Sequence, residues 1–364
     1  MATEFRADTQ VTLCLGPGGV GKTTISAAYA MAAAKQGHRA VVLTIDPARR
    51  LANALGFENS GLNHRLTKVE GDWPGEVWAT MLDPAEMFTN VISAQATSPE
   101  QRDRILANRI FKNLLTSLSG TNEYMATERL YELFSLERFD HIIVDTPPAQ
   151  HAFDFLDSPQ RLTRFLDHQL YRTVFRPRKG VLRSLNVAAQ RLLKILGGVV
   201  GSDLVNDVVD FFSDFDGIDA GFSERAHAIG QLLQSRQAKY VLVTSPKSEP
   251  LRESGWIAES LVRRERSVHA ILANRSTPVA LDEDTKRWAQ NPRNLLEQNF
   301  AEMHIVAATE RQGLNELIEK SAAKDSIVVE IPEQAQPVHD LDTLVVLANR
   351  LQAVESLWTP KPNP

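Results

Sequence analysis

Two rhythms of apolar positions succeed one another along this chain, and their alternation predicts a sheet wrapped by helices. Val11–Leu15, Ala40–Ile45, Val77–Leu82 and His141–Val144 are short apolar or β-branched runs, each closed by polar or turn-forming residues. Runs of that kind read as strands buried on both faces. Between them, residues 22–36, 85–95, 101–118 and 123–136 carry helical patterns, punctuated by Gly37, Ser98-Pro99 and Gly120. Residues 51–76 read as a polar connection. Later in the chain Tyr240–Val243, Val268–Ala273, His304–Ala307 and Ser326–Ile331 predict further strands, with helices at about 284–298, 314–322 and 341–357. The fold class this implies is α/β, a doubly wound and mostly parallel sheet.

From Pro159 to about Ser235 only the helical rhythm is present. Val181, Leu182, Leu185, Ala188, Leu192, Leu196 and Val199 recur at i, i+3, i+4, i+7 spacing, and Val205–Phe212 extends the apolar content. A helical insertion subdomain is expected. The domain reading is therefore a single domain over 1–364 with helical insertions at about 85–136 and 159–235, and a loose proline-bearing tail at 358–364. The apolar face from Val181 to Phe212 is either the core of the insertion or a groove for a hydrophobic helix. Arg176, Arg178, Lys179, Arg183, Arg191 and Lys194 border it.

Composition narrows the function classes. With 364 residues, 43% of them hydrophobic, the chain can bury a full core. A net charge of -5 supplies no global basic field, so nucleic acid is not an expected partner and membrane contact would be indirect. The single cysteine, Cys14, lies inside the first predicted strand, which excludes an internal disulfide or a cysteine zinc site. The first nine residues lack the apolar core of a signal peptide, and no uncharged apolar run reaches about 18 residues. A cytoplasmic location is expected.

The candidate chemistry sits between the first strand and the first helix. Gly16-Pro17-Gly18-Gly19-Val20-Gly21-Lys22-Thr23 fits the phosphate-binding pattern G-x-x-x-x-G-K-[ST], and Thr24 continues into the helix. Such a loop turns backbone N–H groups toward phosphate oxygens, with a helix N-terminus behind them. Gly18, Gly19, Val20, Gly21, Lys22, Thr23 and Thr24 are the candidate phosphate ligands, with the Thr23 hydroxyl also a candidate for Mg²⁺. Two acids stand at strand ends. Asp145, after Ile142-Ile143-Val144, has the Walker-B arrangement that reaches Mg²⁺, or else caps the next helix. Asp46 is a candidate to ligate the metal and orient attacking water, or else a turn-forming Asp-Pro.

GPGGVGKTT at 16–24, TIDPARRL at 44–51, ATMLDP at 79–84, DTPPAQHAFDFL at 145–156 and ANR at 273–275 resemble, in order, the arsenical pump-driving (ArsA) ATPase family. That family includes the tail-anchored-protein targeting ATPases and belongs to the SIMIBI class of P-loop nucleotidases. The resemblance implies an ATP- and Mg²⁺-dependent ATPase working as a homodimer, or as a heterodimer with a paralogue, on a hydrophobic client protein; the alternative is a weakly or non-hydrolysing nucleotide-dependent scaffold that pairs with a paralogue. It implies that Asp46 activates water in a first switch with Arg49 and Arg50, and that Asp145 opens a second switch containing Pro148, Gln150 and His151. Asn274, Pro332 and Glu333 match the segments around adenine. Three departures stand out. Pro17 occupies the place of a lysine that crosses the family's dimer, Arg49-Arg50 replaces His-Asn, and Gln150 replaces glycine. Arg49 or Arg50 either supplies some of the missing charge or is an ordinary switch residue. The family's zinc-holding and arsenite-binding cysteines are absent.

Overall fold

The computed structural model describes residues 9–45, 50–57, 64–109, 120–167, 211, 214–215, 217–279, 282–290, 292–320, 326–338, 340–354 and 357, without the side chains of 50, 53, 150, 288 and 320. Eight strands form one sheet: β1 (Gln10–Leu15), β2 (Arg39–Thr44), β3 (Thr67–Val69), β4 (Glu76–Met81), β5 (His141–Asp145), β6 (Ala238–Thr244), β7 (Val268–Ser276) and β8 (Ile327–Pro332). Their order is β3-β4-β2-β5-β1-β6-β7-β8. Every neighbouring pair is parallel except β3 with β4. The expected α/β sheet is present.

The described helices are α1 (Lys22–Lys35), α2 (Arg50–Ala54), α3 (Pro84–Gln95), α4 (Pro99–Ala107), α5 (Thr121–Ser135), α6 (Ala149–Asp167), α7 (Asp219–Gln234), α8 (Ser248–Val262), α9 (Glu283–Gln290), α10 (Leu295–Lys320) and α11 (Leu341–Gln352). Within the unit that holds the sheet, α1 and α11 lie on one face and α8 on the other. Cys14, Val241 and Val243 pack in one core with α1 and with Leu344, Leu347, Ala348 and Leu351 of α11. Thr244, next along β6, faces the other way, where its Oγ1 accepts a 2.8 Å bond from Ser254 of α8. The alanine content of α1 follows from this packing: every residue from Ile25 to Ala34 is buried because sheet and α11 sandwich the helix. Small side chains let both layers approach it.

Several boundaries differ from the sequence reading, each for a local reason. The run His304–Ala307 is not a strand; it lies inside α10, where Ile305 and Val306 are exposed. Its β-branched residues carry strand propensity, but the flanking residues continue as helix, and context overrides propensity. The helix expected at 284–298 is two helices, α9 and α10, and the one expected at 314–322 is the end of α10. Three residues of the polar connection form β3, an antiparallel edge strand too short to show a period. Helix α6 begins at Ala149 and runs through Pro159. The Ser158 hydroxyl donates to the Phe155 carbonyl at 2.9 Å, the group that proline cannot reach with an N–H. The apolar face expected at 181–212 and the tail at 358–364 fall outside the described residues, apart from Phe211.

The chain divides into two compact units. One comprises residues 1–82, 133–152 and 236–364 and holds the sheet. The other comprises 83–132 and 153–235 and is helical among its described residues. Within the helical unit, Phe222 packs edge-on against Phe88 and tilted against Tyr124 and Phe215.

Candidate functional site

The site grows from the parallel register. β1 lies between β5 and β6, with Cys14 level with Asp145 and with Val241. The loop leaving β1 therefore emerges at the C-terminal edge of the sheet, beside the end of β5. Open α/β sheets bind ligands at that edge. Gly16 fits there because a Cβ would collide with the Val243 carbonyl. Gly21, at φ +95°, turns the chain into α1 through a left-handed conformation.

Helix α1 starts with no side-chain cap and no acid in its first turn. Its first residue, Lys22, is buried, and its ammonium donates to the carbonyls of Gly16 at 3.0 Å and Pro17 at 2.7 Å. Thr23 and Thr24 follow, both half-buried. A positive helix end and a buried ammonium beside a glycine turn form an anion cradle. At the other side of the loop, Asn274 Nδ2 donates to the Val20 carbonyl at 2.8 Å and Arg275 Nη1 to the Gly19 carbonyl at 3.3 Å.

Asp145 ends β5 and is 1% exposed. Thr44, level with it on β2, donates from Oγ1 to Asp145 Oδ2 at 3.0 Å. The next hydroxyl, Thr146 Oγ1, donates to the Cys14 carbonyl at 2.7 Å and ties the end of β5 to β1. Asp145 is thus a buried carboxylate oriented from a neighbouring strand. Together with the Thr23 hydroxyl it offers the hard oxygen donors that Mg²⁺ prefers, and the cradle around Lys22 suits a polyphosphate. The residues present fit both groups. Cys14 is no alternative ligand: burial pushes its thiol up to about 12, which keeps it protonated and unreactive.

The remaining candidates divide. Ser276 is level with Pro332, and the Glu333 N–H donates to the Ser276 carbonyl at 2.9 Å. That bond holds the end of β8 against Ser276, two residues beyond Asn274, which is itself level with Ile331. Pro148, just before α6, and His151, in its first turn, are exposed, the His151 N–H donating to the Pro148 carbonyl at 3.0 Å. Asp46 and Arg49 lie outside the described residues, as do the side chains of Arg50 and Gln150. Asp46 follows Ile45, whose N–H donates to the Asp145 carbonyl at 3.1 Å. Thr44, Thr146 and Arg275 carry roles that motif reading passed over. Their advance signal is their place in the segments at 44–51, 145–156 and 273–275, which by themselves assign them no role.

The sequence model of the anion-transporting ATPases, the ArsA family, matches residues 9–351. The chain belongs to that family. An uncharacterised protein of Streptomyces coelicolor is 34% identical over half of this chain and 43% of its own length. ATPase GET3 of Malassezia globosa is 26% identical over 72% of this chain and 71% of its own length. A protein named as a putative arsenical pump-driving ATPase of Prosthecochloris vibrioformis is 29% identical over 41% of this chain. The match spans under half of the Streptomyces relative and 35% of the Prosthecochloris one, but most of the GET3 protein. Among the described residues, no helix is long and apolar enough to cross a membrane.

Proposed function

We propose that the protein binds ATP with Mg²⁺ on the loop from Gly18 to Thr24 and hydrolyses it. The reading rests on one observation above the others, the buried Lys22 ammonium held on two loop carbonyls at the uncapped start of α1. On binding, Lys22 exchanges those carbonyls for β- and γ-phosphate oxygens, and the loop N–H groups meet the remaining charge. Thr23, Asp145 and Asp46 are the residues that would hold Mg²⁺, which would supply Lewis-acid charge to the transferring phosphoryl group. Asp46 orients the attacking water for in-line displacement, with Arg49 or Arg50 adding transition-state charge. Asn274, Pro332 and Glu333 receive the adenine.

The sheet unit carries the nucleotide and the helical insertions carry the output. We assign the working form to a homodimer or a heterodimer with a paralogue, switched by nucleotide through Pro148, Gln150 and His151, and acting on a hydrophobic or membrane-protein client. The location in keeping with this is cytoplasmic. The arsenical function in a relative's name is not carried over, since the one cysteine here is a buried thiol pushed up to about 12. Pro17 favours one second reading, a nucleotide-dependent scaffold that hydrolyses weakly or not at all, because proline brings neither charge nor N–H to the loop.

Calorimetric titration with Mg²⁺-ATP and single-turnover hydrolysis test both. Wild type and Asp46→Asn are expected to bind, Lys22→Ala to lose binding by about 100-fold or more, and only wild type to release phosphate. Binding without phosphate release in wild type would select the scaffold. Equal ATP affinity in wild type and Lys22→Ala would remove the site.

A further inference from the structure

One residue before its end, strand β7 carries an arginine in a conformation that side chains rarely adopt. Arg275 has φ +62°, in the left-handed region. The pairing of β7 with β8 shifts register between Asn274 and Ser276, so Arg275 is the extra residue of a bulge, a device that re-aims a side chain at a sheet edge. Asn274 and Ser276 on either side are buried, while Arg275 is exposed. Its side chain reaches the phosphate loop, where Nη1 donates to the Gly19 carbonyl beside the Asn274–Val20 bond. The strain therefore serves a contact with the loop and not the packing of the core. Gly18 and Gly19 are exposed, and Pro17 brings no charge to this rim.

We propose that Arg275 is a positioning residue of the phosphate loop, which with Asn274 holds the Gly19–Val20 segment and sets a guanidinium beside the triphosphate of bound nucleotide. The inference rests on the reading of this loop as an ATP site. Two successive carbonyls tied to β7 stay turned away from the anion, whose oxygens their negative ends would repel. The neighbouring N–H groups are left for phosphate. A guanidinium that spends one N–H on Gly19 keeps further donors in a rigid fork for phosphate oxygens.

Hydrogen exchange over residues 16–22 in the nucleotide-free protein, thermal unfolding, and ATP titration calorimetry test this on wild type, Arg275→Gly, Arg275→Gln and Arg275→Lys. Arg275→Gly relieves the left-handed backbone, so its Tm is expected at or above that of wild type. Its loop exchange rises, and its Kd for ATP rises about tenfold. Arg275→Gln loses a similar affinity without the backbone change, and Arg275→Lys recovers part of it. Loop exchange unchanged, or Kd within about twofold of wild type in both the Gly and Gln variants, would overturn the proposal. So would a fall in Tm in all three variants that tracks the loss of affinity, since that marks a merely structural side chain. If wild type itself bound no ATP, the ATP-site reading would fail first, and the exchange comparison would still decide the loop contact.

Discussion

At Gly21 one added methyl group would do harm on two counts. It stands at φ +95°, and a Cβ built there lies 2.6 Å from Asn274 Nδ2. The same atom on Gly18 meets nothing within 4 Å. Gly21→Ala is therefore expected to cost about 1–2 kcal/mol through left-handed strain and to push Asn274 off the Val20 carbonyl. Gly18→Ala should stay within about 0.5 kcal/mol of wild type. Urea unfolding of the nucleotide-free protein checks the contrast, and equal midpoints would contradict it. At this scale the loop was readable in advance, because Lys22, Thr23 and the glycines are contiguous and their chemistry depends on local geometry. Asp145 was readable too, as an acid closing a buried strand. Its support by Thr44 was not, since that bond depends on the register of strands 101 positions apart. Arg275 was visible only as part of a motif, because neither its backbone φ nor the bulge leaves a trace in residue order.

Among the elements, α5 and α7 are joined by a charge cluster inside the helical unit. Glu128 is fully buried; Arg225 Nε donates to its Oε2 at 2.7 Å and the Tyr124 hydroxyl donates to its Oε1. The Arg225 guanidinium lies 4.9 Å from the Tyr131 ring centroid. Burial, and then the Glu128 charge, hold the Tyr124 hydroxyl well above its ordinary range, so it stays a donor. Glu128→Gln keeps the shape but removes the charge that Arg225 answers. Breaking a buried pair from one side costs about 3–5 kcal/mol, and the partial exposure of Arg225 brings the expected loss here to about 2–3 kcal/mol. Urea denaturation followed by far-UV dichroism would measure it, and a loss under about 0.5 kcal/mol would place the cluster among solvated surface pairs. Nothing in the sequence pattern pairs Glu128 with Arg225. The strand expected at His304–Ala307 shows the opposite failure: β-branched residues signal a strand locally, yet they lie in the middle of α10, whose long run sets their conformation. The buried parallel strands were legible because both of their faces are covered, so that the whole strand is apolar.

For the molecule as a whole, β5 separates two chemistries at its ends. Asp145 closes it at the candidate site, while His141 opens it at the far edge of the sheet, buried and edge-on to His38 with ring centroids 5.0 Å apart. Burial first, then the charges of His38 and Lys239, lower the His141 imidazole to about 4, against a smaller opposing effect of Asp140. A histidine depressed in the fold is neutral there, whereas the unfolded chain takes up a proton near its ordinary value of about 6.5. Stability from this group is therefore full above about pH 6.5 and is lost as pH falls from there toward 4. Between pH 7 and pH 5 the loss amounts to about 2 kcal/mol. His141→Gln cannot titrate, so its unfolding free energy should fall less over that interval, by about that difference. Parallel urea titrations at pH 7, 6 and 5 provide the comparison, and identical pH slopes in the two proteins would refute the assignment. Because His141 stands at the opposite end of β5 from Asp145, the substitution should leave Mg²⁺-ATP affinity at pH 7 unchanged, which separates acid sensitivity of the fold from protonation at the nucleotide site.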